Sequence, residues 1–337
     1  MSRRFVAIAA GTVLGIALVG VLSWWLFLRS GGSDDNERAG RALARSVLGA
    51  VEAASEIGAP TRCARLDSVG DTNVLVLDEE SETVVFGVVA DARGDSPPTL
   101  DNLRRIRAEL ESERVDLVIT AGGMGTTQAE IAATLQTLVE DAPWPLVAIP
   151  GDRESLASHR AAVEALGQNV YDGSTVRLIR FGPVTIGTLP GGSDASHLPA
   201  GVDGCMHTKA DISATLAALT AEANPRRALV SYVPPRQTGR TGSDLAPGGV
   251  HVGNIALADA LAESKIDVTI HAMVDSPERP ANVGKATLAP SGDSVFLASG
   301  SADSVPIYPS QISGAALIVH MDASRIDWRR LLYWFDE

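Results

Sequence analysis

Carboxylates, arginines and one tyrosine recur in this chain just past short apolar runs of strand character. Thr83 to Ala90 (TVVFGVVA) leads into Asp91-Ala92-Arg93, and Val115 to Thr120 (VDLVIT) into Ala121-Gly122-Gly123-Met124. Pro145 to Pro150 (PLVAIP) leads into Gly151-Asp152-Arg153-Glu154. Arg227 to Val233 carries Ser231-Tyr232 ahead of Pro234-Pro235, and Val268 to Ala272 runs into Met273-Val274-Asp275. In a parallel α/β sheet, ligands gather at the carboxyl ends of the strands. Aspartates and arginines brought together there have three uses. Asp91, Asp152 and Asp275 can hold one hard cation through oxygen ligands. They can instead be neutralised by Arg93 and Arg153, whose guanidinium groups bind carboxylates in a bidentate way. Or the two arginines can bind a phosphate or another anion. Crowded carboxylates raise each other's pKa unless a cation sits among them, and these arginines are the nearest cations the sequence offers. The series therefore predicts Arg93 and Arg153 within salt-bridge reach of Asp91 or Asp152.

Other chemistries find little support. His159, His197, His207, His251, His271 and His320 show no H-x-H or H-E-x-x-H spacing. No G-x-S-x-G nucleophile elbow is present. Gly122-Gly123 and Gly191-Gly192 lack P-loop or dinucleotide spacing and read as turns.

The elements that must position these residues alternate. Strand patterns at 83–90, 115–120 and 145–150 are separated by helical patterns at 100–110, 127–140 and 156–166. This implies a mostly parallel central sheet. Further strands are expected at 74–77, 175–180, 184–189, 227–233, 268–272, 285–288, 295–299, 315–321 and 326–333. Helices are expected at 37–57, 211–223 and 255–264, the last with Asn254 as N-cap. A Gly/Ser/Pro-rich loop is expected at 190–204 and a mobile loop at 234–253.

The series of strand ends resembles the calcineurin-like metallophosphoesterases, over about 84–335. That family places D-x-H after its first strand, G-D after the second and G-N-H-[DE] after the third. A lone His, often before Pro-Pro, follows, and then G-H-x-H. The resemblance implies a four-layer α/β/β/α sandwich of two mixed sheets. It also implies two metal ions that activate a bridging water and clamp a phosphate. Asp91 matches the first Asp. Arg93 stands where the family has His, and Gly123 where it has the bridging Asp. Asp152 replaces the ligand Asn, Arg153 the His beside the leaving group, and Tyr232 the fourth-element His. Met273 and Asp275 replace the two histidines of G-H-x-H. His271 is offset from that motif, and a one-residue offset turns a side chain to the other face of a strand. No catalytic residue, metal or cofactor is therefore expected. The alternative is an active phosphoesterase for a phosphomonoester or phosphodiester, with a divalent metal pair in an atypical site.

The chain has 337 residues, 45% of them apolar, with 28 basic and 41 acidic side chains and a net charge of −13. That balance excludes a nucleic-acid binder, which needs clustered positive charge. Phe5 to Leu28 carries no charge. As a helix it spans about 36 Å, enough to cross a hydrocarbon core of about 30 Å. Arg3 and Arg4 precede it, so the N-terminus is expected in the cytoplasm and the body outside. A cleaved signal peptide is the other reading, with a shorter apolar region ending in small residues. The expected organisation is a tail at 1–4, a single-pass anchor at 5–28, linker, helix and lead-in strand at 29–82, and a domain at 83–337. A bacterial inner membrane, with a periplasmic body, fits this plan. There Cys63 and Cys205 can form a disulfide, or remain two buried thiols. The function expected is that of a pseudoenzyme acting through a protein partner in the envelope or an anionic ligand at Arg93 and Arg153.

Overall fold

The computed structural model describes residues 61–63, 73–167, 169–194, 204–239, 242–245, 249–272, 286–288, 295–299, 301–302 and 312–334. The expected anchor, the helix at 37–57, and Met273 and Asp275 lie outside them. No helix among the described residues is long and apolar enough to cross a membrane. Gly58–Glu337 form one compact unit.

Two sheets carry the fold. The first has six strands: β3 (Thr83–Val89), β4 (Leu117–Ala121), β5 (Leu146–Ile149), β6 (Val170–Asp172), β14 (Ile312–Asp322) and β15 (Ile326–Trp334). Their order is β15-β14-β3-β4-β5-β6, with β3 to β6 parallel and the β14–β15 hairpin joined to β3 by an antiparallel pairing. The second sheet has seven strands: β2 (Val74–Val76), β7 (Leu178–Phe181), β8 (Val184–Leu189), β10 (Arg226–Ser231), β11 (Val268–His271), β12 (Ala286–Leu288) and β13 (Val295–Ala298). Their order is β12-β13-β11-β10-β8-β7-β2, and both sheets are mixed. A separate two-residue parallel ladder joins β1 (Thr61–Arg62) to β9 (Cys205–Met206).

Alternation along the strands sorts side chains into layers. Val84, Phe86, Val88, Leu117, Ile119 and Val147 of the first sheet share one core with Ile186, Val230, Ile270 and Leu297 of the second. The sheets therefore pack face to face. Outer-face residues of the first sheet, such as Val89, Val118 and Leu146, pack under α1 (Pro97–Ser112), α2 (Gln128–Val139) and α3 (Leu156–Leu166). Those of the second, such as Leu178, Leu189 and Leu229, pack under α4 (Lys209–Ala221) and α5 (Ile255–Ala262). The layers run α/β/β/α.

The helices start where their sequences say they must. Ser96 caps α1 ahead of two prolines, whose missing N–H groups cost nothing in a first turn. Thr127 with Glu130, and Thr208 with Asp211, form capping boxes for α2 and α4. Ser155 caps α3, and Asn254 caps α5 as expected. Three short strands, β1, β6 and β9, had no two-residue periodicity long enough to reveal them.

Candidate functional site

Five strand ends meet at one end of the sandwich. The turn after β3 runs beside the turn after β4: Asp91 N donates to Gly122 O (2.9 Å), Arg93 N to Gly123 O (2.8 Å) and Gly94 N to Met124 O (3.1 Å). The second sheet joins through Gly191 N to Pro150 O (2.8 Å). This zipper forces unusual backbone. Gly122 and Gly123 have φ of +88° and +73°, and Asp91 and Arg93 lie at +52° and +58°. Left-handed conformations suit glycine and are tolerated by aspartate. An arginine there is held by its surroundings, and such outliers cluster at functional sites.

Asp91, Gly123, Asp152 and Tyr232 are brought together. Both carboxylates are buried, at 4% exposure each, and Tyr232 at 6%. A Cβ added to Gly122 would lie 2.5 Å from the Tyr232 ring, and one added to Gly151 would lie 3.0 Å from it. The ring thus lies flush against the two glycine turns. Its hydroxyl lies beside the Asp152 side chain. Burial, followed by the negative charges of Asp91, Asp152 and Glu154, raises the phenol pKa well above its usual value. Tyr232 is therefore a neutral donor among carboxylates.

Glu154, part of the expected motif but given no role there, braces the same turns. It is completely buried. Oε1 accepts from Met124 N (2.7 Å) and Gly125 N (3.4 Å), and Oε2 accepts from Gly151 N. Burial pushes its pKa up, against the opposing pull of His159 and these three N–H groups. A strand-end loop is otherwise free to drift; one carboxylate fastens the β4 and β5 turns together.

Arg153 behaves differently from expectation. Arg93 and Arg153 are both exposed. Among the described residues no carboxylate lies within ion-pair distance of Arg153. The predicted Arg153 contact with Asp91 or Asp152 is therefore absent. An exposed guanidinium keeps its hydration, and the Tyr232 phenol is what meets Asp152 inside the site. Asp275 and Met273 lie outside the described residues.

His271 is turned away from this site, as its offset implied: Ile270 and Ala272 face the inter-sheet core. Its side chain is buried with Ser243, whose Oγ lies 3.0 Å from Nε2, while Nδ1 faces Ala272 O (3.3 Å). Burial lowers its pKa to about 4, so Nε2 accepts from the Ser243 hydroxyl. Ser243 Oγ in turn accepts from Gln237 Nε2 (2.6 Å). Asp244, fully buried, accepts from Gln237 N (3.0 Å) and Gly253 N (3.3 Å) and pairs with His251 Nδ1 (2.7 Å). The described parts of the loop expected to be mobile are thus held by a buried polar network. No periodicity announces such a network, because its members are short-range partners inside one loop.

Do these residues suit a metal pair? Among the described residues, no three His, Cys, Asp or Glu side chains gather to hold a metal ion. Gly123 offers no donor, and the Tyr232 phenol is held neutral by burial. The described donor set does not fit two metals.

Cys63 and Cys205 are bonded, with Cα atoms 5.5 Å apart, an ordinary spacing for a disulfide.

No protein-family model matches the chain, and no curated protein does. Solved structures do. One crystal structure is 12% identical, covers 74% of this chain and 99% of its own, and has a TM-score of 0.53. TT1561 of Thermus thermophilus is 10% identical over 73% of this chain and 98% of its own, at a TM-score of 0.50. A dimetal phosphatase from Danio rerio is 14% identical over 74% and 99%, at 0.47. At these identities the likeness is one of fold. With two mixed sheets face to face and the site loops at their shared end, the chain shares its α/β/β/α fold with these solved structures.

Proposed function

We propose that the chain is a catalytically inactive, membrane-anchored phosphoesterase homologue of the bacterial envelope, which works by binding rather than by hydrolysis. The observation that carries this reading is the Tyr232 phenol, buried against Gly122 and Gly151 and beside Asp152 where metal-binding chemistry would need open donors. A neutral O–H stabilises a buried carboxylate without polarising a water or a phosphate. What binds is a protein partner in the envelope or a small anion at the exposed Arg93 and Arg153. Fold does not establish activity, and the site argues against it.

The anchor at 5–28, with a cytoplasmic N-terminus and periplasmic body, completes the proposal. The Cys63–Cys205 bond supports it, since disulfides persist in oxidising compartments. Purified full-length protein is expected to lack stoichiometric Mn, Fe or Zn and to hydrolyse neither a phosphomonoester nor a phosphodiester. Near-stoichiometric metal with metal-dependent turnover would establish the alternative, an active enzyme with an atypical metal set. Protease added to spheroplasts should digest the body. Digestion only after lysis would reverse the orientation.

A further inference from the structure

We propose that β15 is a dimerisation edge: two copies of the chain pair antiparallel along it and join their six-stranded sheets into one. The two sheets end in four edge strands, β15 and β6 on the first, β12 and β2 on the second. β2, β6 and β12 have three residues each, whereas β15 has nine. An edge strand presents unpaired N–H and C=O groups to other chains, and natural sheets keep such edges short, charged or covered. β15 is long, and it pairs with β14 without a register shift from Ile326 to Tyr333. Among the described residues no strand lies on its far side. Trp328, Arg329 and Arg330 are all exposed.

The side chains of β15 are self-complementary about one residue. Trp328 stands opposite Val319, on the face turned to the second sheet, yet it is 37% exposed. It is the one aromatic among the exposed large apolar side chains of the described residues. Asp327 and Arg329 stand on the other face, each with a side chain 48% exposed. A two-fold axis through position 328 sets Trp328 opposite its own copy. It also sets each Asp327 opposite Arg329 of the second copy. Cross-strand aromatic pairs and opposite charges are both favourable contacts. An axis through 327 or 329 instead sets aspartate against aspartate or arginine against arginine. The charges thus choose the register that the tryptophans favour.

A charged residue on an edge ordinarily blunts it, but Arg329 is drawn aside. Its Nη2 donates to Glu109 Oε2 (2.6 Å) and its Nη1 pairs with Glu113, both on α1. The side chain therefore lies toward the helix rather than across the edge. Asp327 is already paired with Arg325 at 2.5 Å. Each copy thus brings the other's Arg329 a neutral pair rather than a bare charge. Exposed pairs of this kind are weak singly, so they set register, while the facing tryptophans and the shared backbone bonds supply affinity. None of this depends on what the strand-end site binds or on whether it is inactive.

The test uses the full chain in detergent. Sedimentation velocity should show a protein mass that doubles as concentration rises, and β15 amides should gain protection from hydrogen exchange in step. Trp328→Glu sets two carboxylates face to face and should weaken the dimer by about tenfold or more, while amides of β3, β4 and β14 keep their protection. Cross-linking reads the register and leaves Trp328 in place, so it decides the matter even where Trp328→Glu fails to fold. The native cysteines are bonded to each other, so each new cysteine is a single free thiol. Asp327→Cys protein mixed with Arg329→Cys protein should form a disulfide-linked pair on mild oxidation, and either protein alone should form far less. Three results would overturn the proposal. One is a monomer at every concentration. Another is a dimer that a folded Trp328→Glu variant leaves intact, which would place the contact elsewhere on the chain. The third is a mixture that cross-links no better than its components.

Discussion

The Cβ of any side chain at position 123 would fall on Oδ1 of Asp91. The two turns are zipped so closely that the Cβ would also lie 3.0 Å from the Asp91 Cα. Gly123→Asp, which places a carboxylate between the two turns, is therefore expected to destabilise. The clash, the left-handed backbone and a second negative charge together should cost about 2–4 kcal/mol. Urea denaturation measures this, and titration with Mn or Zn should show no tighter binding than in the parent. A stable Gly123→Asp protein that takes up metal would show that these turns are more pliant than their packing implies.

Tyr232→Phe keeps the ring and removes the hydroxyl beside Asp152. A buried carboxylate that loses one hydrogen bond should destabilise the fold by about 1–3 kcal/mol. The equilibrium midpoint in denaturant should fall while its slope stays constant. An unchanged midpoint would mean that the phenol packs without contributing a hydrogen bond.

Glu154 accepts from three backbone N–H groups. Glu154→Ala leaves those donors buried and unsatisfied, and should cost about 3–5 kcal/mol. Glu154→Gln keeps one acceptor oxygen and should cost less. Hydrogen exchange at Met124 and Gly151 should quicken in both before the core strands respond. Equal protection at these amides in the Ala variant would show that something other than Glu154 holds the two turns.

His271 stores a pH dependence. Burial lowers its folded pKa from 6.5 to about 4. The unfolded chain therefore binds a proton in a range where the folded chain does not. The fold keeps its full stability above about pH 6.5 and loses it as pH falls towards 4, by up to about 3 kcal/mol. Denaturation at pH 7 and pH 5 should show the loss, and His271→Gln should flatten the curve over that interval. A curve of the same slope in the variant would assign the effect to another group.

The sequence carried the architecture because long alternating and helical patterns dominate it. Val184–Leu189 and Leu156–Leu166 have the limits that their patterns predict. It also carried the order of the strand ends, so Asp91, Gly123, Asp152 and Tyr232 converge. It did not carry their partners. Two arginines beside two aspartates suggest ion pairs, but Arg153 is exposed, and whether a long side chain turns inward depends on the packing around it, which residue types do not encode. Glu154 stood in plain view within the motif. Its role depends on three amides from two separate turns, a relation between backbone groups that residue types do not encode. The same holds for Ser243 and Asp244, whose partners follow from how one loop folds on itself.

The interlock of the Tyr232 ring with Gly122 and Gly151 bears on how such a site can change over generations. Replacing the ring by a smaller histidine leaves a void between the turns. Filling position 123 collides with Asp91 before any ligand can repay the strain. Each such substitution is harmful alone and useful only in company, so change at this floor meets a barrier rather than a slope. Variation is then free to act on the exposed rim, at Arg93 and Arg153, while the floor stays locked.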